Sequence, residues 1–502
     1  MSTTPPAHSA RSGRPPGKPP LRKQAGGPAA PSKAKTPLVD AARSAAFEVL
    51  CAVDADDAFA NLLLPEILRS RGIDGRDAAF ATELTYSTLR YCGQLDAILD
   101  SVGTRPVADM DAQTRNALRL GACQLLHLRT PEHAAIATSV DLVSRVRKSA
   151  TGFVNAVLRQ VQKRDVDQWL ELLTEGKSAS EQMAVRYSHP RWIVSSISDA
   201  LVKAGRSPLE LQQALEANNI AARPMLIARP GVCDSDELAV AEQQVSGRWS
   251  PYALTAPPGD PGALPAIRDG RAAVQDEGSQ LVALLAVSAT VSGSDELWLD
   301  ACAGPGGKAA LMAAVAGIRG ASVIAVDQSA HRVELVKRAC RPFGNVTTHT
   351  ADAAALATYP WVPAAGYDRV LVDVPCTGIG ALRRRPELRW RRSASDVGTL
   401  VGLQEAILVS ALSVTRSGGV VTYSTCSPHV LETDAVVSRA RAAAAAAGIA
   451  TEIVDAREVI AAGGVAVDAD ALIATQNDGY LRLWPHVHGT DAMFAAVIRV
   501  TS

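Results

Sequence analysis

The hydrophobic and polar positions of this chain fall into two regimes with a break between them. From about Leu38 to Lys163 apolar residues recur at helical spacing: Phe47, Leu50 and Val53 share one face, as do Leu118, Cys123, Leu125 and Leu126. That spacing predicts an all-α domain over residues 37–165. From residue 273 onward the apolar runs shorten, and each is followed by a turn and a longer helical stretch; the runs end at Asp300, Asp327, Asp352, Asp373 to Cys376, and Cys426. Repeated β and α units of this kind build a doubly wound, Rossmann-like sheet with right-handed crossovers, which we assign to residues 273–502. Between the two regimes, residues 166–272 read as a helical linker broken at Ser188-His189-Pro190-Arg191-Trp192. A small α+β module follows, with strands at Met225–Arg229 and Tyr252–Leu254 and a helix over Asp234–Gln244. The fold class expected is therefore multidomain, α and α/β.

Composition changes the picture mainly at the N-terminus. Residues 1–36 hold seven Lys/Arg, eight prolines and no acid, the signature of a disordered basic tail able to add weak, salt-sensitive attraction to RNA. Over all 502 residues 51 basic side chains balance 51 acidic ones, so a nucleic-acid partner must be read from local patches. Eight cysteines without a C-x-x-C pair argue against a zinc site and a disulfide framework, and fit a reducing cytoplasm. No metal is expected. Apolar runs fall short of the roughly 18 residues of a membrane span, no secretory leader is visible, and a soluble monomer is expected.

Candidate chemistry concentrates at Leu297–Lys308, L-W-L-D-A-C-A-G-P-G-G-K: a short strand, a Gly/Pro turn and a helix start, which together form a ligand loop. A nucleotide-hydrolase phosphate loop would need Gly at 302 and Ser or Thr at 309, where Cys302 and Ala309 stand. A dinucleotide fingerprint would need a different spacing from that of Gly304, Gly306 and Gly307. Asp327, closing the next run, is placed to accept hydrogen bonds from ribose hydroxyls, so a nucleoside ligand is expected. Ligands of such sheets gather at the carboxyl ends of strands, so Asp300, Asp327, Asp352, Asp373, Cys376 and Cys426 are predicted to converge on one crevice.

At these residues the chain resembles the RsmB (Sun, Fmu) family of RNA cytosine carbon-5 methyltransferases. D-A-C-A-G-P-G-G-K (300–308) is similar to its S-adenosylmethionine loop, D-V-P-C-T-G-I-G (373–380) to its fourth motif and Y-S-T-C-S (423–427) to its sixth; S-H-P-R-W (188–192) and R-R-R-P-E-L-R-W (383–390) also match. Residues 76–90, 131–143 and 152–159 resemble the helical RNA-binding domain of the NusB antitermination factors, in which Arg43, Arg145, Arg147 and Lys148 are candidate RNA contacts. The resemblance implies that Cys302, Ala303, Gly304, Pro305, Gly306, Gly307 and Lys308, with Asp327, Asp352 and Asp373, hold S-adenosyl-L-methionine. It also implies that Cys426 is the nucleophile and Cys376 its helper. Gly304, where the family often has Ala, is expected only to loosen the loop.

Cytosine carbon 5 is a poor nucleophile until a thiolate adds to carbon 6, and that requirement makes sense of two cysteines. Asp373 is read either as a contact to the base or as a cofactor ligand. The target base must be unstacked, and Arg383, Arg384, Arg385 and Arg389 with Trp390, directly after the fourth motif, read as a basic, aromatic grip on RNA. The expected function is 5-methylcytosine formation in small-subunit ribosomal RNA. The alternatives left open are a transfer-RNA enzyme, a non-catalytic ribosome-assembly factor and a DNA cytosine methyltransferase.

Overall fold

The computed structural model describes residues 40–473 and 478–502; the basic tail read over residues 1–36 lies outside them. The helical regime folds as seven helices: Ala41–Ala55, Ala60–Ser70, Gly75–Arg90, Cys92–Val102, Ala112–Leu126, Glu132–Val146 and Thr151–Val161. Asp40 and Asp111 start two of them by accepting a hydrogen bond from the exposed N–H of Arg43 and Thr114. Their apolar faces close on one core that includes Phe47, Leu50, Leu84, Leu95, Leu118 and Leu158. Gly121 lets two of these helices touch, since a Cβ there would stand 2.5 Å from the Leu158 side chain. Trp169, on the next helix Val166–Thr174, inserts into the same core and donates its indole N–H to the Val161 carbonyl.

The small module is a three-stranded antiparallel sheet of β1 (Met225–Ala228), β2 (Ala253–Thr255) and β3 (Ala272–Val274), ordered β2-β1-β3. Two expectations change here. Residues 272–274 pair with β1, so they belong to this module and not to the domain that follows. The helix expected over Asp234–Gln244 spans only Ser235–Leu238. The Gln244 side chain accepts from the N–H groups of Val240 and Ala241 and donates to the Leu238 carbonyl, replacing the bonds a longer helix would make.

The second regime forms an eight-stranded sheet from β4 (Leu297–Asp300), β5 (Ser322–Asp327), β6 (Val346–Thr350), β7 (Tyr367–Asp373), β8 (Thr415–Thr425), β9 (Thr451–Val454), β10 (Leu481–Arg482) and β11 (Phe494–Val500). Its path is β10-β11-β8-β7-β4-β5-β6, with β9 also on β11. β4 to β8 are parallel, as their buried apolar runs predict. β9, β10 and β11 were not legible as strands, and they add antiparallel pairing around β11. The chain winds outward from β4 in both directions, to β5 and β6 on one side and to β7 and β8 on the other. The reversal at β4 and β7 opens a crevice at their carboxyl ends.

One helix, Ala394–Ser413, is by length and composition apolar enough to cross a membrane, contrary to the reading of the apolar runs. Its residues Val397, Val401, Ile407, Leu408, Ala411 and Leu412 share a core with Val370, Val372 and Val421 of β7 and β8, which accounts for its composition.

Candidate active site

The Gly/Pro turn after β4 leads directly into the helix Gly307–Arg319. Gly306 adopts φ 110°, and a Cβ there would lie 2.6 Å from Ala339 Cβ and 2.9 Å from Val336 Cα, so the turn is pressed against the helix Ala330–Cys340 where only glycine fits. A Cβ on Gly304 would stand 2.4 Å from Asp327 Oδ2, while its N–H donates to that oxygen at 3.2 Å. Gly304 thus does more than loosen the loop: its missing side chain is the space that the Asp327 carboxylate occupies.

The strand-end acids separate by environment. Asp300 is 1% exposed; burial, then the charge of Asp373, pushes its carboxyl up to about 7, and its Oδ2 has no hydrogen-bond partner. Asp327, also buried, accepts from the Ser329 N–H at 2.9 Å. Asp352 is exposed and caps the short turn that follows β6. Asp373 accepts from Lys308 Nζ at 2.8 Å and from Ser424 Oγ at 2.9 Å. Burial works against the Lys308 charge, but Asp373 outweighs it and the net effect is to raise the lysine pKa.

Beyond β7 and β8 the chain presents Cys376 and Cys426 with their sulfurs 3.3 Å apart. Either sulfur can be the donor, so the two thiols titrate as a pair. The hydrogen bond from Cys376 lowers the Cys426 pKa against the opposing effects of burial and Asp373, and Lys308 assists. The same hydrogen bond, then burial, raises Cys376 well above its ordinary value. The first negative charge of the pair therefore belongs to Cys426. Cys302, half-buried beside Asp300, is pushed the other way by desolvation and then by Asp300, and stays a neutral thiol.

Known proteins match this arrangement over both regimes. Residues 290–499 match the family model of the 16S rRNA methyltransferases RsmB/F, and residues 40–163 that of the NusB family. A putative methyltransferase of Mycobacterium tuberculosis is 46% identical over 92% of this chain and 97% of its own length. The ribosomal RNA small subunit methyltransferase B of Escherichia coli is 31% identical, with 75% of this chain and 83% of that protein covered. The chain belongs to the RsmB family.

As an RsmB-family member the protein is an S-adenosyl-L-methionine-dependent RNA methyltransferase with a NusB-like helical domain. The fold extends to the crystal structure of PH0851, with a TM-score of 0.73 over 93% of this chain and all of that one at 19% identity. The crevice suits the RsmB cofactor: a glycine-lined cradle, the start of a long helix, and buried acids at β4 and β5, one with an unpartnered oxygen.

The arginine run needs correction in this RsmB-family chain. Arg389 is 0% exposed and donates to the carbonyls of Arg90 (2.8 Å), Ser188 (3.1 Å) and Asn218 (2.8 Å), each at or just past the end of a helix. A buried guanidinium facing three carboxyl-terminal helix ends is held by their partial negative charge and is closed to phosphate. Arg384 is paired with buried Asp491, and Arg383 donates to the carbonyls of Gly489 and Thr490. Arg385 lies over the Phe59 ring. Trp390 keeps 44% of its surface exposed, but its indole packs on Gly93, where a Cβ would come within 2.2 Å of the ring. Arg385, Arg389 and Trp390 fasten the helical domain to the sheet domain, while Arg383 and Arg384 hold the loop before β11. In the NusB-like domain Arg145, Arg147 and Lys148 are exposed, whereas Arg43 is bound to Asp40 and Gln124.

Sequence reasoning missed Glu432, Gln404 and Asp491, all buried around the cysteine loops, and gave Lys308 a place in the cofactor loop but no part in the chemistry. No local signal marks Glu432, which sits between Leu431 and Thr433 with Asp434 close by in an ordinary polar turn.

Proposed function

We propose that this RsmB-family enzyme forms 5-methylcytosine in small-subunit ribosomal RNA through a covalent bond between Cys426 and cytosine carbon 6. The observation that carries the reading is the 3.3 Å contact between Cys426 and Cys376, beside the Lys308–Asp373 ion pair. The Escherichia coli relative named above as a small-subunit methyltransferase, and the 16S rRNA methyltransferase family model, favour that RNA as substrate.

Asp327 would bind the cofactor's ribose hydroxyls, and the unpartnered Oδ2 of Asp300 would accept from a donor on its amino-acid end. Asp352, exposed at the end of β6, and residues Cys302–Lys308 would complete that pocket. Cys426, ionised before its neighbour, attacks carbon 6; the Sγ–C6 bond forms and the π pair of the C5=C6 bond moves to carbon 5. Asp373, held by Lys308 at 2.8 Å, accepts a hydrogen bond from the exocyclic amine or the protonated ring nitrogen and orients the base. Bound S-adenosyl-L-methionine supplies an electrophilic methyl group to the electron pair at carbon 5. Once Cys426 is bonded to carbon it neither charges nor hydrogen-bonds Cys376 as before, so the main cause of the raised Cys376 pKa is removed. Cys376 can then release its own proton to solvent and, as a thiolate, take the carbon-5 proton as C5=C6 re-forms and the Cys426 thiolate leaves.

The test is a trapped intermediate. Cys376→Ala should give a denaturant-resistant protein–RNA band that requires S-adenosyl-L-methionine and disappears in the double variant with Cys426→Ala, while Cys426→Ala alone gives none. A band from Cys426→Ala with none from Cys376→Ala reverses the two roles. Bisulfite sequencing of ribosomal and transfer RNA from a deletion strain identifies the substrate.

A further inference from the structure

Glu432 ends a short turn after β8 and is 0% exposed. Its Oε1 accepts from the Thr377 N–H at 2.8 Å and from Gln404 Nε2 at 3.0 Å. Its Oε2 accepts from Thr377 Oγ1 and from Ser427 Oγ, both at 2.5 Å. Thr377 follows Cys376 and Ser427 follows Cys426, so one carboxylate grips the residue after each thiol. Gln404 extends the grip by donating from the same nitrogen to the carbonyl of Pro375, which precedes Cys376, at 2.8 Å.

None of these four donors is a cation. Burying a carboxylate without a cationic partner carries a desolvation penalty that a neutral amide of the same shape would avoid. The four donors converge on both oxygens, more than the single acceptor oxygen of glutamine could receive, and the charge they hold beside the thiols has a use. The thiol pair supplies one, because it must place a single negative charge on one of two nearly equivalent sulfurs.

We propose that Glu432 is a positioning residue for the covalent step: it holds the two cysteine loops so that the thiols stay in contact, and it assigns the pair's negative charge to Cys426. The inference rests on the covalent reading above and says how that chemistry is steered. Six charged or titratable groups face the pair: Lys308 and Asp373, Arg384 and Asp491, Tyr423, and Glu432 itself, with His429 beyond Glu432. Lys308 favours the charge on Cys426, and Glu432 disfavours it on Cys376, so the two groups bias the pair in the same direction.

Alkylation of the full-length protein by iodoacetamide, without RNA or cofactor, reads this directly, because peptide mass spectrometry counts each cysteine separately. In the wild type Cys426 should react roughly 10-fold or more faster than Cys376. Glu432→Gln, which removes the charge and one acceptor oxygen, should bring the ratio close to one, whereas Glu432→Asp, which keeps the charge and both oxygens on a shorter side chain, should hold it within about threefold of the wild type. An unchanged ratio in folded Glu432→Gln, or equal losses in both variants, overturns the proposal. Should Glu432→Gln not fold, the alkylation midpoint of Cys376 in Cys426→Ser decides: it should stay above that of an ordinary thiol, and a midpoint at or below that value overturns the proposal. Absence of the trapped RNA adduct with thiol selectivity intact would instead count against the covalent route alone.

Discussion

Cys376 Sγ touches Cys426 Sγ at 3.3 Å across the ends of two neighbouring parallel strands, β7 and β8. The contact is the largest cause of the lowered Cys426 pKa. Removing it with Cys376→Ala should raise that pKa, so that the thiolate absorbance of Cys426 appears at higher pH than in the wild type. A midpoint that stays in place would show that Lys308, not the partner thiol, ionises Cys426.

Asp327 is buried and held by the N–H groups of Ser329 and Gly304 and by Arg332; the function proposed above gives it the cofactor's ribose hydroxyls. Asp327→Ala should weaken S-adenosyl-L-methionine binding by roughly 1.5–3 kcal/mol, the range for hydrogen bonds to a charged group. Calorimetry on the RNA-free protein measures it, and unchanged affinity would remove Asp327 from the pocket.

Asp300 gives a pH signature of stability. Its carboxyl is pushed up to about 7 in the fold, against about 3.9 in an unfolded chain, so the folded state binds more protons between those values. Its contribution is therefore fully present below about pH 4 and is lost as the pH rises through 7, by on the order of a few kcal/mol. Asp276, also pushed up to about 7, acts in the same direction. Urea unfolding of the cofactor-free protein from pH 4.5 to 8 should show this decline, and Asp300→Asn should flatten it.

Arg389 joins three helix ends from inside the domain junction, and burial with Arg90 nearby brings its pKa down only to about 9, so it stays charged at neutral pH. Arg389→Met leaves three buried carbonyls unpaired and should destabilise the protein by roughly 3–5 kcal/mol. Denaturation should then resolve separate transitions for the helical and sheet domains. A weaker, less salt-dependent grip on RNA with unchanged stability would restore the phosphate-binding reading.

What could be read from the chain followed from local pattern. Asp300, Asp327, Cys376 and Cys426 were legible because a parallel strand delivers its last residues to the crevice whatever the neighbouring sequence is. Glu432 and Asp491 act through neighbours brought close only by folding, and no local spacing marks such a residue. The arginines around Trp390 misled for a related reason: a basic run beside an aromatic looks the same whether it meets phosphate or the carboxyl ends of helices. Gln244 shows the smallest such limit, a single side chain competing for the backbone groups that a longer helix would use.

The position of β11 has a bearing on when the enzyme becomes competent. β11 pairs with the strand that carries Cys426, Asp491 just before it anchors Arg384, and the Ala492 N–H bonds to Gly380, whose own N–H bonds to the Cys426 carbonyl. Domains assemble from the N-terminus during synthesis, so a ribosome that has reached Tyr480 carries a chain with a complete helical domain but an unfinished cysteine site. The cysteine site is thus among the last parts of the enzyme to be completed, after the domain that resembles an RNA-binding fold.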